Sequence, residues 1–392
     1  MLTEQDRTEL IRLLQAGETI PPHWRGKLFP GGAQSVEIGK EYRREYAGKM
    51  KREQVFDYTG FFDQIRGGKY VGLDPAPLET VAARYPVRIS PHYLSLIQEP
   101  GDPIWQQCVP DPRELDDDQL PDPLDEERLS PVPGLIHRYP DRVVWLVSNE
   151  CAVFCRFCMR KRRLGQPLPE PRVSREAALD YIASHPEIRD VILSGGDPLM
   201  LPDAELEEIL SRLRAIPHVE IIRIGSRIPV VLPERITLEL CDLLKRYHPL
   251  YLNTHFNHPL EITPQAAAAC GKLADAGIPL GNQSVLLKGV NDDPATMTLL
   301  MQRLLAIRVR PYYLHQMDLV RGTGHFRTSV ESGVRIMAAL RGHTSGLAIP
   351  YYVIDLPGGK GKMPILPETV QREGRGLLIT TYTGEVVAYE DV

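Results

Sequence analysis

Three cysteines lie close together in the chain, as Cys151, Cys155 and Cys158. Their C-x3-C-x2-C spacing lets one loop present three thiolates to a metal centre. Three thiolates can hold three corners of a four-iron cluster and leave the fourth iron free to bind a small molecule. Electron carriers and structural zinc sites use four ligands, and no fourth ligand is evident near this loop. The spacing therefore favours an open iron–sulfur cluster over a zinc site or simple buried thiols.

The region after Arg142 alternates short apolar runs with helical patterns. The runs predict strands at residues 143–148, 191–196, 221–226, 250–256, 279–287 and 308–316. Helices are predicted near residues 174–185, 203–215, 235–247, 263–276 and 294–307. Continuous apolar strands separated by helices predict a parallel α/β sheet, and six repeats predict a barrel or partial barrel.

Functional residues of such barrels follow the C-terminal ends of the strands. The cysteines follow the first predicted strand, and other polar residues occupy similar positions near the later ones: Ser194, Gly195, Gly196, Asp197, Ser226, His255, Gln283 and Asp318. A further strand delivers Asp355 and then the segment PGGKGK. We therefore expect one site at this edge of the sheet.

The flanking regions predict the domain organisation. A helix is predicted from about Glu4 to Gln15, within a mainly helical extension over residues 1–108. Prolines and acids recur over residues 109–134, which predicts an irregular connector on the surface and a domain boundary. The barrel core then spans residues 135–320, and a C-terminal segment spans residues 321–392 with a hairpin turning at Thr383-Gly384.

Composition excludes several classes of protein. The net charge of −5 is not typical of a nucleic-acid binder. No apolar run approaches the ~18 residues of a membrane span, and the N-terminus lacks the features of a secretory signal. We expect a cytoplasmic protein that binds neither nucleic acid nor membrane. The basic run Arg160-Lys161-Arg162-Arg163 fits either a solvated face or a pocket for carboxylates or phosphates.

The cysteine spacing after a first barrel strand resembles the radical S-adenosylmethionine (SAM) superfamily. Several segments are also similar to the lysine 2,3-aminomutase family, over roughly residues 91–390: PVPGLIHRYPDR, GSRIPVVLPERIT, NTHFNHPLEIT and DLPGGKGKMP. The resemblance implies a radical-SAM partial (β/α)6 barrel whose [4Fe–4S] cluster binds and cleaves SAM. It places the methionine end of SAM at the Ser194–Asp197 turn, with further contacts from Ser226, His255 and Gln283.

The same resemblance implies a second cofactor, pyridoxal 5′-phosphate. Lys362 matches the family's lysine that forms a Schiff base with it, and Lys360 replaces a glycine and is the rival candidate. Arg138, Tyr139 and Arg142 match residues that hold the phosphate and ring of this cofactor. Without the resemblance, the PGGKGK segment would more often be a surface loop with two solvated lysines.

The substrate residues are also implied by the resemblance. Arg160 matches the arginine that pairs with the carboxylate of free lysine, and Asp318 and Asp355 match two acids that pair with its ammonium. Two nearby carboxylates repel each other unless a cation lies between them. The implied activity is an isomerase that interconverts L-lysine and L-β-lysine through a 5′-deoxyadenosyl radical and a pyridoxal-assisted 1,2-amino shift. The alternative substrates are arginine, glutamate or a protein-bound lysine.

Two positions depart from the family pattern. Asp293 replaces a cysteine that binds structural zinc in some aminomutases, and no cysteine follows Cys270, so we expect no such zinc. His315 occupies a position where tyrosine is frequent. We also expect an electron donor such as flavodoxin or ferredoxin, and a homo-oligomer. The alternatives from other classes are a plain iron–sulfur carrier and a zinc-stabilised binding protein.

Overall fold

The computed structural model describes residues 74–165, 171–373 and 376–390, so the helix predicted at Glu4–Gln15 lies outside the described residues. From residue 74 to the start of the sheet, the described chain forms three α-helices, which we call the N-terminal layer: α1 (Ala76–Arg84), α2 (Pro91–Ser95) and α3 (Pro103–Cys108). Ser90 caps α2 and Asp102 caps α3 by accepting hydrogen bonds from backbone N–H groups of the first turn. The mainly helical character predicted here is confirmed for residues 74–108.

A curved sheet forms the centre of the molecule. Its strands follow one another in chain order: β1 (Leu135–Tyr139), β2 (Arg142–Ser148), β3 (Asp190–Gly195), β4 (Ile221–Gly225), β5 (Leu250–Thr254), β6 (Leu280–Leu286), β7 (Arg310–Gln316), β8 (Tyr351–Asp355) and β9 (Lys362–Pro364). Strands β2 to β8 are parallel, whereas β1 and β9 pair antiparallel at the two edges. The predicted partial barrel is confirmed, and the two antiparallel edge strands were not predicted.

Helices connect the parallel strands: α4 (Pro171–Ser184), α5 (Asp203–Arg214), α6 (Ile228–Val231), α7 (Leu238–Leu244), α8 (Pro264–Asp275), α9 (Pro294–Ala306) and α10 (Val330–Leu340). Five of them match the predicted helices, and α6 and α10 were not predicted. Helix α6 is a single apolar turn without periodicity. Helix α10 contains Gly333, which lowers helix propensity but is required because a Cβ there would overlap the ring of Tyr352.

The connector contains one 3-10 turn, Pro112–Glu114, and is otherwise irregular over most of its length, as predicted. The prediction that it lies on the surface is wrong at Glu114, Leu124 and Glu126, which are buried. The two acids, Glu114 and Glu126, are buried for an electrostatic reason, because they face the basic run after the cysteines. Glu114 Oε2 lies 2.6 Å from Nζ of the buried Lys161.

A small antiparallel sheet ends the described chain, with β10 (Val370–Glu373), β11 (Gly376–Thr380) and β12 (Val386–Glu390). The hairpin predicted at Thr383-Gly384 joins β11 to β12, and Gly384 adopts a φ of 86° in the turn. Within the described residues, no helix combines the length and apolar character needed to cross a membrane.

Candidate active site

The cysteine loop, residues 149–159, begins at the C-terminal end of β2. The N-terminal layer and the segments that join its helices hold this loop through backbone hydrogen bonds. The N–H of Phe154 donates to the carbonyl of Arg88, and the N–H of Arg156 donates to the carbonyl of Gln107, each at 2.9 Å. The loop therefore takes its shape from a part of the chain that precedes the barrel.

The three cysteines of the loop form one local group. Burial, with a contribution from the neighbouring Cys155, raises the pKa of Cys158 to about 11. Burial also raises the pKa of Cys151, to which Asp197 and the other two thiols contribute. Among the described residues, no group of three Cys, His, Asp or Glu side chains is arranged to bind a single metal ion. Three thiols on one loop, each able to bind a different iron, fit the ligand set of a four-iron cluster.

The glycine turn at the end of β3 packs directly on the backbone that leads into the cysteine loop. The N–H of Gly196 donates to the carbonyl of Ser148 at 2.5 Å, and the N–H of Asp197 donates to that of Glu150 at 2.7 Å. A Cβ on Gly196 would overlap the carbonyl oxygen of Glu150. Gly195 also has a φ of 123°, which favours glycine. Both glycines are therefore required by close backbone approach.

Asp197 links this turn to the end of β4. Its carboxylate accepts hydrogen bonds from Ser226 Oγ and from the N–H of Arg227, both at 2.7 Å. Burial raises the pKa of Asp197 to about 6, although these hydrogen bonds oppose the increase. The structure thus brings together Asp197 and Ser226, which the sequence predicts at one SAM site.

His255 follows β5 and lies beside the cysteine loop. Its ring centroid is 5.5 Å from that of Phe157. Nε2 of His255 is buried and has no hydrogen-bond partner among the described residues. Burial and the nearby Arg227 cation lower the pKa of His255 well below its usual value, so the ring is neutral. An orphaned polar atom at this position fits the site for a polar ligand such as SAM. Gln283 lies on the neighbouring strand β6.

Lys362 begins β9, directly after the glycine-rich segment Pro357–Gly361, which we call the lysine loop. Its Nζ donates a hydrogen bond to Oδ2 of Asp355. His315 Nδ1 lies 3.2 Å from the same oxygen and 3.4 Å from Lys362 Nζ. Burial opposes ionisation of Asp355, but the hydrogen bond from His315 and the Lys362 cation outweigh it and hold the pKa of Asp355 below its usual range. Lys360 is exposed.

Strands β1 and β2 bring the predicted phosphate and ring contacts to Lys362. The backbone N–H of Lys362 donates to Tyr139 Oη at 2.9 Å, and the Arg142 guanidinium lies 4.1 Å from the centre of the Tyr139 ring. Arg138 Nη1 is 3.4 Å from Oδ1 of Asp355. Nε of Arg138 is buried without a hydrogen-bond partner among the described residues. A buried guanidinium with an unused donor fits an anionic group such as a phosphate.

Two of the predicted substrate residues, Arg160 and Asp318, interact electrostatically. Arg160 pairs with Glu126, with Nη2 2.7 Å from Oε1, and its Nη1 lies 3.3 Å from Ser194 Oγ. Asp318 has no hydrogen bond or ion pair within the described ranges. Burial, with a contribution from the charge of Asp355, raises the pKa of Asp318 to about 7. Asp318 therefore lies within electrostatic range of both Asp355 and the Arg160 cation.

Three residues of the site were not identified as functional from the sequence. Glu126 lies in a run of acids, so nothing distinguishes it from its neighbours. Arg227 follows Ser226 at the end of β4, and this position could have marked it as a functional residue. His315 was noted only as a departure from a family pattern.

An open α/β barrel with three cysteines past its first parallel strand is the architecture of radical SAM enzymes. The Radical SAM superfamily model matches residues 145–301, and the Lysine-2,3-aminomutase model matches residues 337–391. The chain is 50% identical over 334 residues to the L-lysine 2,3-aminomutase of Fusobacterium nucleatum, which covers 82% of this chain and 78% of that relative. It is also 50% identical to the L-lysine 2,3-aminomutase of Clostridium subterminale, covering 82% and 80% of the two chains.

A third relative, the glutamate 2,3-aminomutase of Clostridioides difficile, is 48% identical over 319 residues, covering 80% of this chain and 76% of the relative. The chain belongs to the lysine 2,3-aminomutase family of radical SAM enzymes. It is therefore an isomerase that uses a [4Fe–4S] cluster and SAM, with a free amino acid as its small-molecule substrate.

Proposed function

We propose that this enzyme interconverts L-lysine and L-β-lysine by moving the amino group between C2 and C3. The observation that supports the proposal is the electrostatic grouping of Asp318 with Asp355 and Arg160: the charge of Asp355 raises the pKa of Asp318, and Asp318 raises that of Arg160. Lysine has the complementary charges, a carboxylate at one end and an ammonium at the other. The names of the relatives at 50% identity support the same substrate.

The contact between Lys362 and Asp355 adds to this support. A lysine ammonium of the protein itself already occupies Oδ2 of Asp355. The site therefore accepts an alkylammonium group, which is the group that free lysine would bring. A glutamate substrate would place its side-chain carboxylate beside Asp318 and Asp355, and like charges in a buried site repel.

We further propose that Lys362, Arg138, Tyr139 and Arg142 hold pyridoxal phosphate. This cofactor, when bound, supplies the π system through which a nitrogen can shift between neighbouring carbons. Lys362 must present an unprotonated amine to a carbonyl group. Asp355 Oδ2 accepts the hydrogen bond from Lys362 Nζ, and His315, whose pKa burial and the Lys362 charge lower, lies beside them as a neutral ring with Nδ1 3.4 Å from that nitrogen. Arg138 and Arg142 supply charge for the phosphate.

The test is an anaerobic assay of the cluster-reconstituted enzyme with dithionite, SAM and pyridoxal phosphate. L-Lysine, L-arginine and L-glutamate are supplied in parallel, and β-amino acids are separated by chromatography. We expect β-lysine as the main product. If SAM is cleaved while lysine is unchanged and β-arginine or β-glutamate accumulates, the assignment of the substrate is wrong. An electron donor such as flavodoxin or ferredoxin and a homo-oligomeric state remain predictions.

A further inference from the structure

Arg227 makes a direct contact with one of the cluster cysteines. It follows β4, is buried, and its Nη1 donates a hydrogen bond to Sγ of Cys155 at 2.7 Å. Within the described part of the chain, Cys155 is the one cluster cysteine whose sulfur accepts a hydrogen bond from a charged side chain. A guanidinium keeps its charge in proteins, so this contact places a permanent cation against a cluster ligand.

The other two nitrogens of Arg227 also have hydrogen-bond acceptors. The two hydrogens of Nη2 are shared among Glu261 Oε1 at 2.6 Å, Gln107 Oε1 at 2.7 Å and Tyr93 Oη at 2.9 Å. Nε donates to the carbonyl of His255 at 3.2 Å. Tyr93 and Gln107 belong to α2 and α3, so the N-terminal layer helps to fix the guanidinium in place.

Glu261 is itself held by the backbone. It is fully buried, and its Oε2 accepts from the N–H groups of Asn257 at 2.5 Å and His258 at 2.8 Å. Tyr93 Oη donates to its Oε1 at 2.7 Å. The position of the cation near Cys155 is therefore set by the protein frame and does not depend on solvent or on a mobile side chain.

We propose that Arg227 is a positioning residue that tunes the iron–sulfur cluster by raising its reduction potential. One-electron reduction adds a negative charge to the cluster. A fixed cation that donates a hydrogen bond to a ligand sulfur stabilises the reduced state more than the oxidised state. Burial strengthens this interaction, because little water is present to screen it. Glu261 carries the opposite charge and moderates the effect.

The inference predicts changes of opposite sign for two substitutions that each remove one charge. In Arg227→Gln, the cation is lost, and we expect the equilibrium for one-electron reduction to shift at least ten-fold toward the oxidised cluster, equivalent to 59 mV. In Glu261→Gln, the cation remains without its counter-charge, and we expect a shift toward the reduced cluster. Arg235→Gln is the control, because Arg235 binds Asp203 and the carbonyls of Leu199 and Leu201 but no cysteine.

The measurement is a redox titration of each reconstituted protein, followed by electron paramagnetic resonance without substrate, SAM or pyridoxal phosphate. Its result is independent of which amino acid the enzyme converts. If Arg227→Gln holds too little iron to titrate, Glu261→Gln decides the question alone. A potential that stays within the range of the Arg235→Gln control, or that moves in the opposite direction, would overturn the proposal.

Discussion

Arg160 and Glu126 form a bidentate ion pair, with Nη2 2.7 Å from Oε1 and Nε 3.0 Å from Oε2. Glu126 therefore partly neutralises the guanidinium that the sequence assigns to the substrate carboxylate. In Glu126→Gln this counter-charge is removed, and we expect a lower KM for lysine. We also expect the free energy of unfolding to fall by roughly 1–3 kcal/mol, because a charge-assisted buried hydrogen bond is weakened.

Steady-state kinetics and denaturant unfolding check this prediction. Asp122→Asn is the matched control. Asp122 lies in the same connector as Glu126, and it pairs with Arg162 at 3.0 Å. A higher KM with unchanged stability in Glu126→Gln would mean that Glu126 mainly orients Arg160 instead of competing for it.

Lys362 and Lys360 offer a matched pair for the cofactor assignment. Lys362→Ala removes the amine that contacts Asp355 and His315, whereas Lys360→Ala changes an exposed side chain of the lysine loop. We expect Lys362→Ala to lose pyridoxal phosphate during dialysis and to lose β-lysine formation, and Lys360→Ala to keep both. Absorbance spectra of the dialysed proteins measure the bound cofactor. Retention of the cofactor in Lys362→Ala together with its loss in Lys360→Ala would reverse the assignment.

The pKa of about 7 for Asp318 predicts a pH dependence of substrate binding. Below pH 7 this carboxyl group is protonated and attracts the substrate ammonium weakly, whereas above pH 7 it is ionised and attracts it strongly. The KM for lysine should therefore fall as the pH rises from 6 to 8. The change is at most about ten-fold per pH unit, because a single proton is involved. Asp318→Asn should raise KM and remove this dependence, and a KM that still falls with pH in Asp318→Asn would assign it to another group.

The glycine turn predicts a steric effect on the cluster. In Gly196→Ala the new Cβ overlaps the Glu150 carbonyl, so the backbone before the cysteine loop must move. We expect the free energy of unfolding to fall by roughly 1–3 kcal/mol, as for other overpacked sites, and the iron content to decrease. In the control Gly225→Ala, the nearest atom to the new Cβ is the carbonyl oxygen of Leu193 at 3.8 Å, and we expect little change. Equal iron content in the two variants would contradict the steric explanation.

Much of the barrel could be predicted from the sequence, because its parallel strands appear as short apolar runs separated by helical patterns. The runs at 143–148 and 191–196, for example, correspond to β2 and β3. The edge strands β1 and β9 could not be predicted in this way. Strand β9 has three residues and two of them are exposed, so its sequence carries no strand pattern and its antiparallel pairing with β8 defines it.

The site was predictable to the extent that its residues follow strand ends or match a family motif. Asp318 follows β7 and Asp355 ends the neighbouring strand β8, so their proximity could be expected from the strand order. The pairing of Arg160 with Glu126 could not, because an irregular connector gives no periodicity from which a side-chain direction can be deduced. The contacts of Arg227 with Tyr93 and Gln107 depend on how α2 and α3 pack on the barrel, which no local pattern encodes. The predicted domain boundaries and the roles of the individual site residues stay predictions.

The backbone contacts of the cysteine loop define the part of this chain that can be transferred as a unit. A fragment that starts at β1 would contain every cysteine of the loop, the glycine turn and the lysine loop. It would lack the carbonyls of Arg88 and Gln107 that hold the cysteine loop, and the side chains of Tyr93 and Gln107 that hold Arg227. Grafting the barrel alone onto another protein would thus transfer the metal ligands without the residues that hold them in place. The N-terminal layer and the cysteine motif have to be inherited, or engineered, together.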